Sequence, residues 1–154
     1  MANLWIMVGI PGSGKSYEAN KRAKENGGVV ISRDNIRLSM LKEGEAYFSH
    51  EPAVFREYVR QIDKAILLNN NVYADATQLN WASRRKLINA VHKTPDTEIK
   101  YLFMNTTFGE CIARNEKRKG LALIPEEVLD KMFCTLEHPE DDPYIYAGGE
   151  EVLD

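Results

Sequence analysis

Cysteine is scarce: Cys111 and Cys134 are the only two in 154 residues. Neither their number nor their spacing suits a disulfide scaffold or a thiolate metal ribbon. Both read as reduced core thiols of a cytoplasmic protein. The histidines His50, His92 and His138 are scattered without metal-ligand spacing. Basic charge is not in surplus, since 20 Lys and Arg stand against 23 Asp and Glu for a net charge of −3. That balance excludes the broad basic footprint of a long-duplex binder, yet allows a local basic groove on one strand end. No apolar run is long enough to span a membrane. The first apolar stretch is short, lacks a basic flank and runs straight into a glycine-rich segment, so no signal peptide is expected. There is no repeat, low-complexity tract or linker. What is present is a chain of one-domain length, 44% apolar and 28% charged, with enough residues for a true core.

Strand and helix patterns alternate, which predicts a parallel sheet with helices on both faces. Leu4 to Val8, Val29 to Ser32, Val72 to Asp75 and Ile99 to Met104 read as strands, and a last short one is placed at Tyr144 to Tyr146. Helices are predicted over Tyr17 to Lys24, Glu51 to Leu68, Trp81 to His92, Phe108 to Lys119 and Glu126 to Leu136. In the longest, Phe55, Val59, Ile62 and Ile66 recur at helical spacing and are expected to face the sheet. Leu87, Ile88 and Val91 form the apolar side of the next helix. Pro125 suits the first turn of the last one. The acidic run Glu137 to Asp142 reads as a solvated loop.

Gly9-Ile10-Pro11-Gly12-Ser13-Gly14-Lys15-Ser16 fits G-x-x-x-x-G-K-[ST] without a mismatch. A buried strand precedes it and a helix follows, as a phosphate cradle requires. Gly12 and Gly14 let the backbone curl so that successive N–H groups point at phosphate oxygens, and the helix N-terminus adds partial positive charge. Lys15 can bridge the β- and γ-phosphates and the Ser16 hydroxyl can ligate Mg²⁺. Gly12, Ser13, Gly14, Lys15, Ser16 and Tyr17 are therefore the candidate nucleotide-binding segment, with ATP and Mg²⁺ the expected cofactors.

A phosphate cradle alone does not separate a kinase from a switch. Ser32-Arg33-Asp34-Asn35-Ile36-Arg37 follows the second strand, on the sheet edge that faces the ligand crevice. Asp34 there is either a base for an attacking hydroxyl or the N-cap of a helix starting near Asn35. Arg37, three residues on, projects to the same side and can clamp an acceptor phosphate. Asp75 ends the third strand, where it either serves the metal site or closes an Asx-turn near Thr77. Arg114 and Arg118 share a helical face in a basic segment. They are either a lid that neutralises charge during transfer or a solvated helix end favoured by the macrodipole. Arg84-Arg85-Lys86 is a second basic cluster, able to touch a nucleic-acid backbone or simply to lie on the surface.

Taken in order, these segments resemble the kinase domain of the phage polynucleotide 5′-hydroxyl kinases. The likeness rests on the Gly9–Ser16 loop, Ser32 to Arg37, Asp75-Ala76-Thr77-Gln78-Leu79-Asn80 with Arg84-Arg85, and Arg114-Asn115-Glu116-Lys117-Arg118. Pro125 to Leu129 continues it, and it reaches to about Phe133. The Arg-Asp-x-x-Arg and Arg-Asn-x-Lys-Arg elements are the selective ones. The resemblance implies an α/β P-loop kinase fold over residues 1–154, with four to five parallel strands flanked by helices and a helical lid at about 108–124. It implies Lys15 and Ser16 for triphosphate and metal, Asp34 as general base, and Arg37 on the acceptor's phosphate. It implies Arg118 on the transferring phosphoryl, Arg114 supporting the lid, and Asp75 with Ser16 on the metal side. The third-strand motif is one residue longer than in the phage enzyme, and Tyr17 stands where Thr is common. The phosphatase part of that enzyme, with its Asp-x-Asp motif, has no counterpart here.

The leading expectation is an ATP-dependent kinase acting on the 5′-hydroxyl of DNA or RNA, with a single-stranded 5′ end as partner and no membrane. A P-loop kinase for a small metabolite or nucleoside is the first rival. A P-loop regulatory module that hydrolyses ATP slowly is the second. A basic channel reaching the P-loop favours the first, a closed small pocket the rival, and no acceptor cavity the module.

Overall fold

A computed structural model describes residues 2–120, 123–137 and 150–153. Five parallel strands make one sheet: β1 (Asn3–Val8), β2 (Val29–Ser32), β3 (Val72–Asp75), β4 (Glu98–Met104) and β5 (Glu150–Leu153), in the order β2-β3-β1-β4-β5. The helices are α1 (Lys15–Asn26), α2 (Arg33–Met40), α3 (Glu51–Leu67), α4 (Trp81–Ala90), α5 (Phe108–Glu116) and α6 (Glu126–Thr135). The strand placed at Tyr144 to Tyr146 and most of the acidic run lie outside the described residues.

The strands are buried on both faces, so their residues sort by period two into two cores. Leu4, Ile6 and Val8 of β1 join Val72, Ala74, Ile99, Tyr101 and Phe103 in the larger core, which α3 closes with Val54, Tyr58, Ile62 and Ile66. The alternate residues Met7, Tyr73 and Leu102 pack with Ala19 of α1 on the other face. The chain thus leaves β1 toward one side and returns from β3 to β4 on the other. The crevice at the carboxyl ends of β1 and β3 is the place where such sheets bind ligands.

Three local expectations change. The buried stripe of α3 runs through Val54, Tyr58, Ile62, Ala65 and Ile66, while Phe55 and Val59 sit half-buried at its edge. Phe55 instead lies under Arg33 and Lys86, whose cationic ends stand 5.3 and 4.6 Å from its ring centroid. Pro125 is the N-cap of α6 rather than part of its first turn. Cys111 is buried, as expected of a core thiol, but Cys134 is exposed.

Candidate active site

The Gly9–Ser16 loop joins β1 to α1. Gly12 and Gly14 hold φ of 85° and 94°, left-handed values that only glycine adopts without strain. A Cβ on Gly12 would also come within 2.7 Å of the Cys111 carbonyl oxygen. The loop's carbonyls are tied outward: Thr106 Oγ1 donates to the Ser13 carbonyl at 2.6 Å and Arg114 Nη1 to the Gly12 carbonyl at 2.9 Å. With these oxygens engaged, the N–H groups at the start of α1 stay available to an anion. Lys15 is only 4% exposed, and its ammonium has no partner among the described residues. A cavity of about 200 Å³ opens here, lined by Gly12, Gly14, Lys15, Ser16, Tyr17, Arg114 and Arg118.

Asp75 closes the back of the cradle. It is 4% exposed, and Ser16 Oγ donates to its Oδ2 at 2.5 Å. Its Oδ1 is buried without a hydrogen-bond partner among the described residues. An orphaned carboxylate oxygen beside the P-loop hydroxyl suits a divalent cation, and so does a donor set of oxygens alone. No group of three His, Cys, Asp or Glu side chains capable of holding a metal occurs among the described residues. Mg²⁺ needs no such cage, because it keeps waters and phosphate oxygens as its other ligands. The Asx-turn alternative for Asp75 has no counterpart in its hydrogen bonds, since its only hydrogen-bond partner among the described residues is Ser16.

Across the loop, β2 delivers Asp34. The helix α2 begins at Arg33, and its N-cap is Ser32, whose hydroxyl accepts from the Asn35 N–H at 3.1 Å. Of the two alternatives for Asp34, the capping one falls away, since Ser32, two residues earlier, makes the cap. Asp34 is left with 43% of its side chain exposed. Its Oδ1 accepts from Arg37 Nη1 at 2.5 Å and from the Tyr47 hydroxyl at 3.3 Å, while Oδ2 has no such bond among the described residues. Arg37 is buried and grips Glu51 as a fork, Nε and Nη2 each at 2.7 Å from one carboxylate oxygen. Burial works against its charge, but the Glu51 bonds and the nearby Asp34 outweigh this and raise its pKa above the usual arginine value. The same fork holds the Glu51 carboxyl below its usual range. Burial, then the Asp34 charge, pushes the Tyr47 phenol up.

These side chains line a second cavity of about 490 Å³ that touches the P-loop at Pro11. Arg33, Asp34, Arg37 and Glu51 supply its charges, two of each sign. Tyr47 and Phe48 form one apolar wall, and Leu123, Ile124, Pro125, Val128 and Met132, from α6 and the loop before it, form the other. Two cavities thus meet at the glycine-rich loop, one cationic and one charge-balanced.

The segment expected to form a lid, at about 108–124, holds α5 and the loop after it, and α6 follows. The helix α5 stops at Glu116, short of the expected Lys119, with Lys117 as its C-cap. Arg118 therefore stands beyond the helix, yet it lines the cationic cavity together with Arg114. Buried Asn115 holds the lid loop by a reciprocal pair: Nδ2 donates to the Ile124 carbonyl at 2.6 Å and Oδ1 accepts from the Ile124 N–H at 3.1 Å.

Three residues escaped the sequence reading or were misread. Arg84, placed in a surface cluster, is fully buried at 0% exposed. It donates to the Gln78 and Glu137 carbonyls at 3.0 and 2.6 Å and so cannot meet a nucleic-acid backbone. Gln78, in the segment that is one residue longer than its phage counterpart, adopts φ of 47°. Its amide donates to the Met7 and Ala74 carbonyls at 2.5 and 3.0 Å, pinning the ends of β1 and β3 together. Glu51 carried no sequence signal beyond its place at a helix start, because its partner Arg37 is met only through the fold.

A family model described as an AAA domain matches residues 4–139. No curated protein is similar in sequence. Among solved structures, a chain of the Pnkp1/Rnl/Hen1 RNA repair complex superposes with a TM-score of 0.74 at 21% identity, over 95% of this chain and 47% of that one. A sugar kinase from Janibacter sp. HTCC2649 gives 0.67 at 20% identity, over 100% and 85% of the two chains. A deoxyadenosine kinase from M. mycoides gives 0.63 at 17%, over 98% and 90%. The chain spans only 38% and 47% of the two RNA-repair-complex chains it matches. At these identities the likeness shows the fold, an α/β P-loop kinase fold. No described helix is long and apolar enough to cross a membrane.

Proposed function

This chain belongs to the AAA domain family, and we propose that within it the chain is an ATP-dependent kinase transferring the γ-phosphoryl of ATP to the 5′-hydroxyl of a polynucleotide. The observation that carries this reading is Asp34. One of its oxygens is held by Arg37 and Tyr47, the other is open, and the side chain lines a cavity that begins at the P-loop. A switch that only hydrolyses ATP has no need of a cavity of about 490 Å³ beside its P-loop, since water is its acceptor.

In this reading the loop N–H groups and Lys15 bind the triphosphate, and Arg118 offsets charge on the transferring phosphoryl. Ser16 and Asp75 would hold Mg²⁺, which supplies charge neutralisation to the phosphates when bound. Asp34 Oδ2 takes the proton of the acceptor hydroxyl as its oxygen attacks phosphorus and the β–γ bridging bond breaks toward ADP. Arg37 and Tyr47 keep the carboxylate oriented. The lid wall and Phe48 exclude water from the transferring group. The acceptor walls are apolar, so a nucleotide's base is favoured there over a polyol, whose hydroxyls would be buried without partners.

A nucleoside or small-metabolite kinase is the second reading, favoured by two features: the cavity beside Asp34 is charge-balanced and apolar-walled rather than a basic channel, and Arg37 already spends its donors on Glu51, Asp34 and Tyr47. An acceptor phosphate must compete with Glu51 for it. Label transfer from γ-labelled ATP with Mg²⁺ separates the readings. The acceptors are 5′-hydroxyl DNA, 5′-hydroxyl RNA, a 3′-mononucleotide, nucleosides and sugars. The polynucleotide reading expects label on the oligonucleotides and the 3′-mononucleotide, with bare nucleosides poor. Label on nucleosides or sugars alone would replace it with the second reading.

A further inference from the structure

We propose that Tyr17 is the platform for the nucleoside end of the phosphate donor, with the base of ATP lying against its ring. The proposal rests on the P-loop being a nucleotide site. Tyr17 is the third residue of α1 and is 75% exposed. A large aromatic ring so exposed, without a ring contact among the described residues, is the kind of surface feature that asks for a partner. It lines the cationic cavity together with Gly12, Gly14, Lys15 and Ser16.

The direction of a bound triphosphate follows from the two cavities. The acceptor cavity meets the loop at Pro11 and holds Asp34, so the γ-phosphoryl must lie at that end. The loop N–H groups then carry the chain of phosphates toward the start of α1. The nucleoside leaves on the side where Tyr17 and Arg114 stand, neither of which lines the cavity that holds Asp34. Arg114 is fixed there by its bond to the Gly12 carbonyl, so the rim does not have to form around the ligand. The N–H groups at the start of α1 reach only as far as a phosphate oxygen. A tyrosine extends past it and offers a π-face to a planar base. Stacking on an aromatic residue is worth roughly 1–3 kcal/mol per base in single-strand binding proteins, or about 5- to 150-fold in affinity.

Calorimetry with Mg²⁺ can test this, using ATP and inorganic tripolyphosphate as ligands on the full chain and its variants. Tyr17→Ala is expected to weaken ATP about 10-fold while tripolyphosphate affinity stays within about twofold. Tyr17→Phe, which keeps the ring and loses the hydroxyl, is expected to bind ATP within about twofold of the parent. In steady state, Tyr17→Ala should raise KM for ATP with kcat held. The proposal is overturned if Tyr17→Ala binds ATP normally, if tripolyphosphate weakens as much as ATP, or if Tyr17→Phe is as weak as Tyr17→Ala. In each of those cases the parent protein still binds both ligands, so the P-loop reading survives. A parent that binds neither ligand overturns both.

Discussion

The cavities on either side of the glycine-rich loop handle charge in opposite ways. On the donor side, Lys15, Arg114 and Arg118 face the cavity with no carboxylate among its lining residues. On the acceptor side, Arg33 and Arg37 are answered by Glu51 and Asp34, at distances of 3.3 Å or less. A cation left unanswered is an invitation to an anion, and a paired one is a scaffold. In the proposed reaction the donor cavity thus suits a ligand that brings its own negative charge. The acceptor cavity uses its arginines to hold a carboxylate in place, and greets an incoming molecule with apolar walls.

The contrast breaks most sharply at Lys15. Lys15→Ala removes charge from the side that has none to spare, and kcat is expected to fall about 10³-fold, as for loss of a preorganised stabilising group. Near-normal turnover by a folded variant overturns the donor assignment. Next comes Asp34→Asn, which keeps size but not basicity. Transfer should drop about 10²-fold while ATP affinity by calorimetry stays near normal. An equal loss of ATP affinity would mean the two cavities do not divide the work. Arg118→Lys retains charge without the planar fork and should cost about 10-fold in kcat. Hydrogen exchange at residues 114–120 should slow with a non-hydrolysable ATP analogue, and no change there would count against a lid.

Smaller effects probe the acceptor side. If only one or two strand phosphates find a cation, raising salt from 50 to 200 mM should weaken oligonucleotide acceptors only about two- to sevenfold, from a slope of roughly −0.7 per phosphate. A much steeper loss would reveal a basic track beyond the cavity. Finally, Glu51 is held below its unfolded pKa, chiefly by its bonds to Arg37. A carboxyl depressed on folding contributes stability above its unfolded value of about 4.3, and that stability is lost as pH falls through the folded value. Urea midpoints should therefore drop between pH 5 and pH 3 a little less in Glu51→Gln than in the parent. An identical drop would mean that the fork adds nothing to the fold.

Residues that act through local geometry were legible from sequence. The strands at Val29–Ser32 and Val72–Asp75 fall at the expected bounds, and the P-loop sits between strand and helix as its spacing requires. What was not legible depends on partners distant in the chain. Arg84 belongs to a run of three cations, and such runs normally face water. It is buried because two loops present carbonyls that only a long, forked donor reaches. Phe55 and Val59 fit a helical repeat as well as Val54 and Tyr58 do. Which pair faces the sheet is set by the rotation of α3, and Phe55 is drawn to the edge where Arg33 and Lys86 cover it. The cap on α2 could be Ser32 or Asp34 by residue type. Backbone φ of −100° at Ser32 decides it, a detail no composition rule carries.

Arg84 has one more consequence. The strand that ends in Asp75 continues through Gln78, whose carbonyl Arg84 holds. The same guanidinium holds Glu137, just past the lid's last helix, and the Glu137 N–H returns to the Leu79 carbonyl at 2.7 Å. At its other end the lid springs from Thr107, next to Thr106 and its bond to the P-loop carbonyl of Ser13. The α5–α6 segment is therefore hung from two anchors, one seated on the phosphate loop and one on the chain that continues the strand bearing Asp75. If this segment closes over a nucleotide as the proposed kinase requires, its swing is geared to both anchors, so closure and the alignment of Asp75 would be one mechanical event.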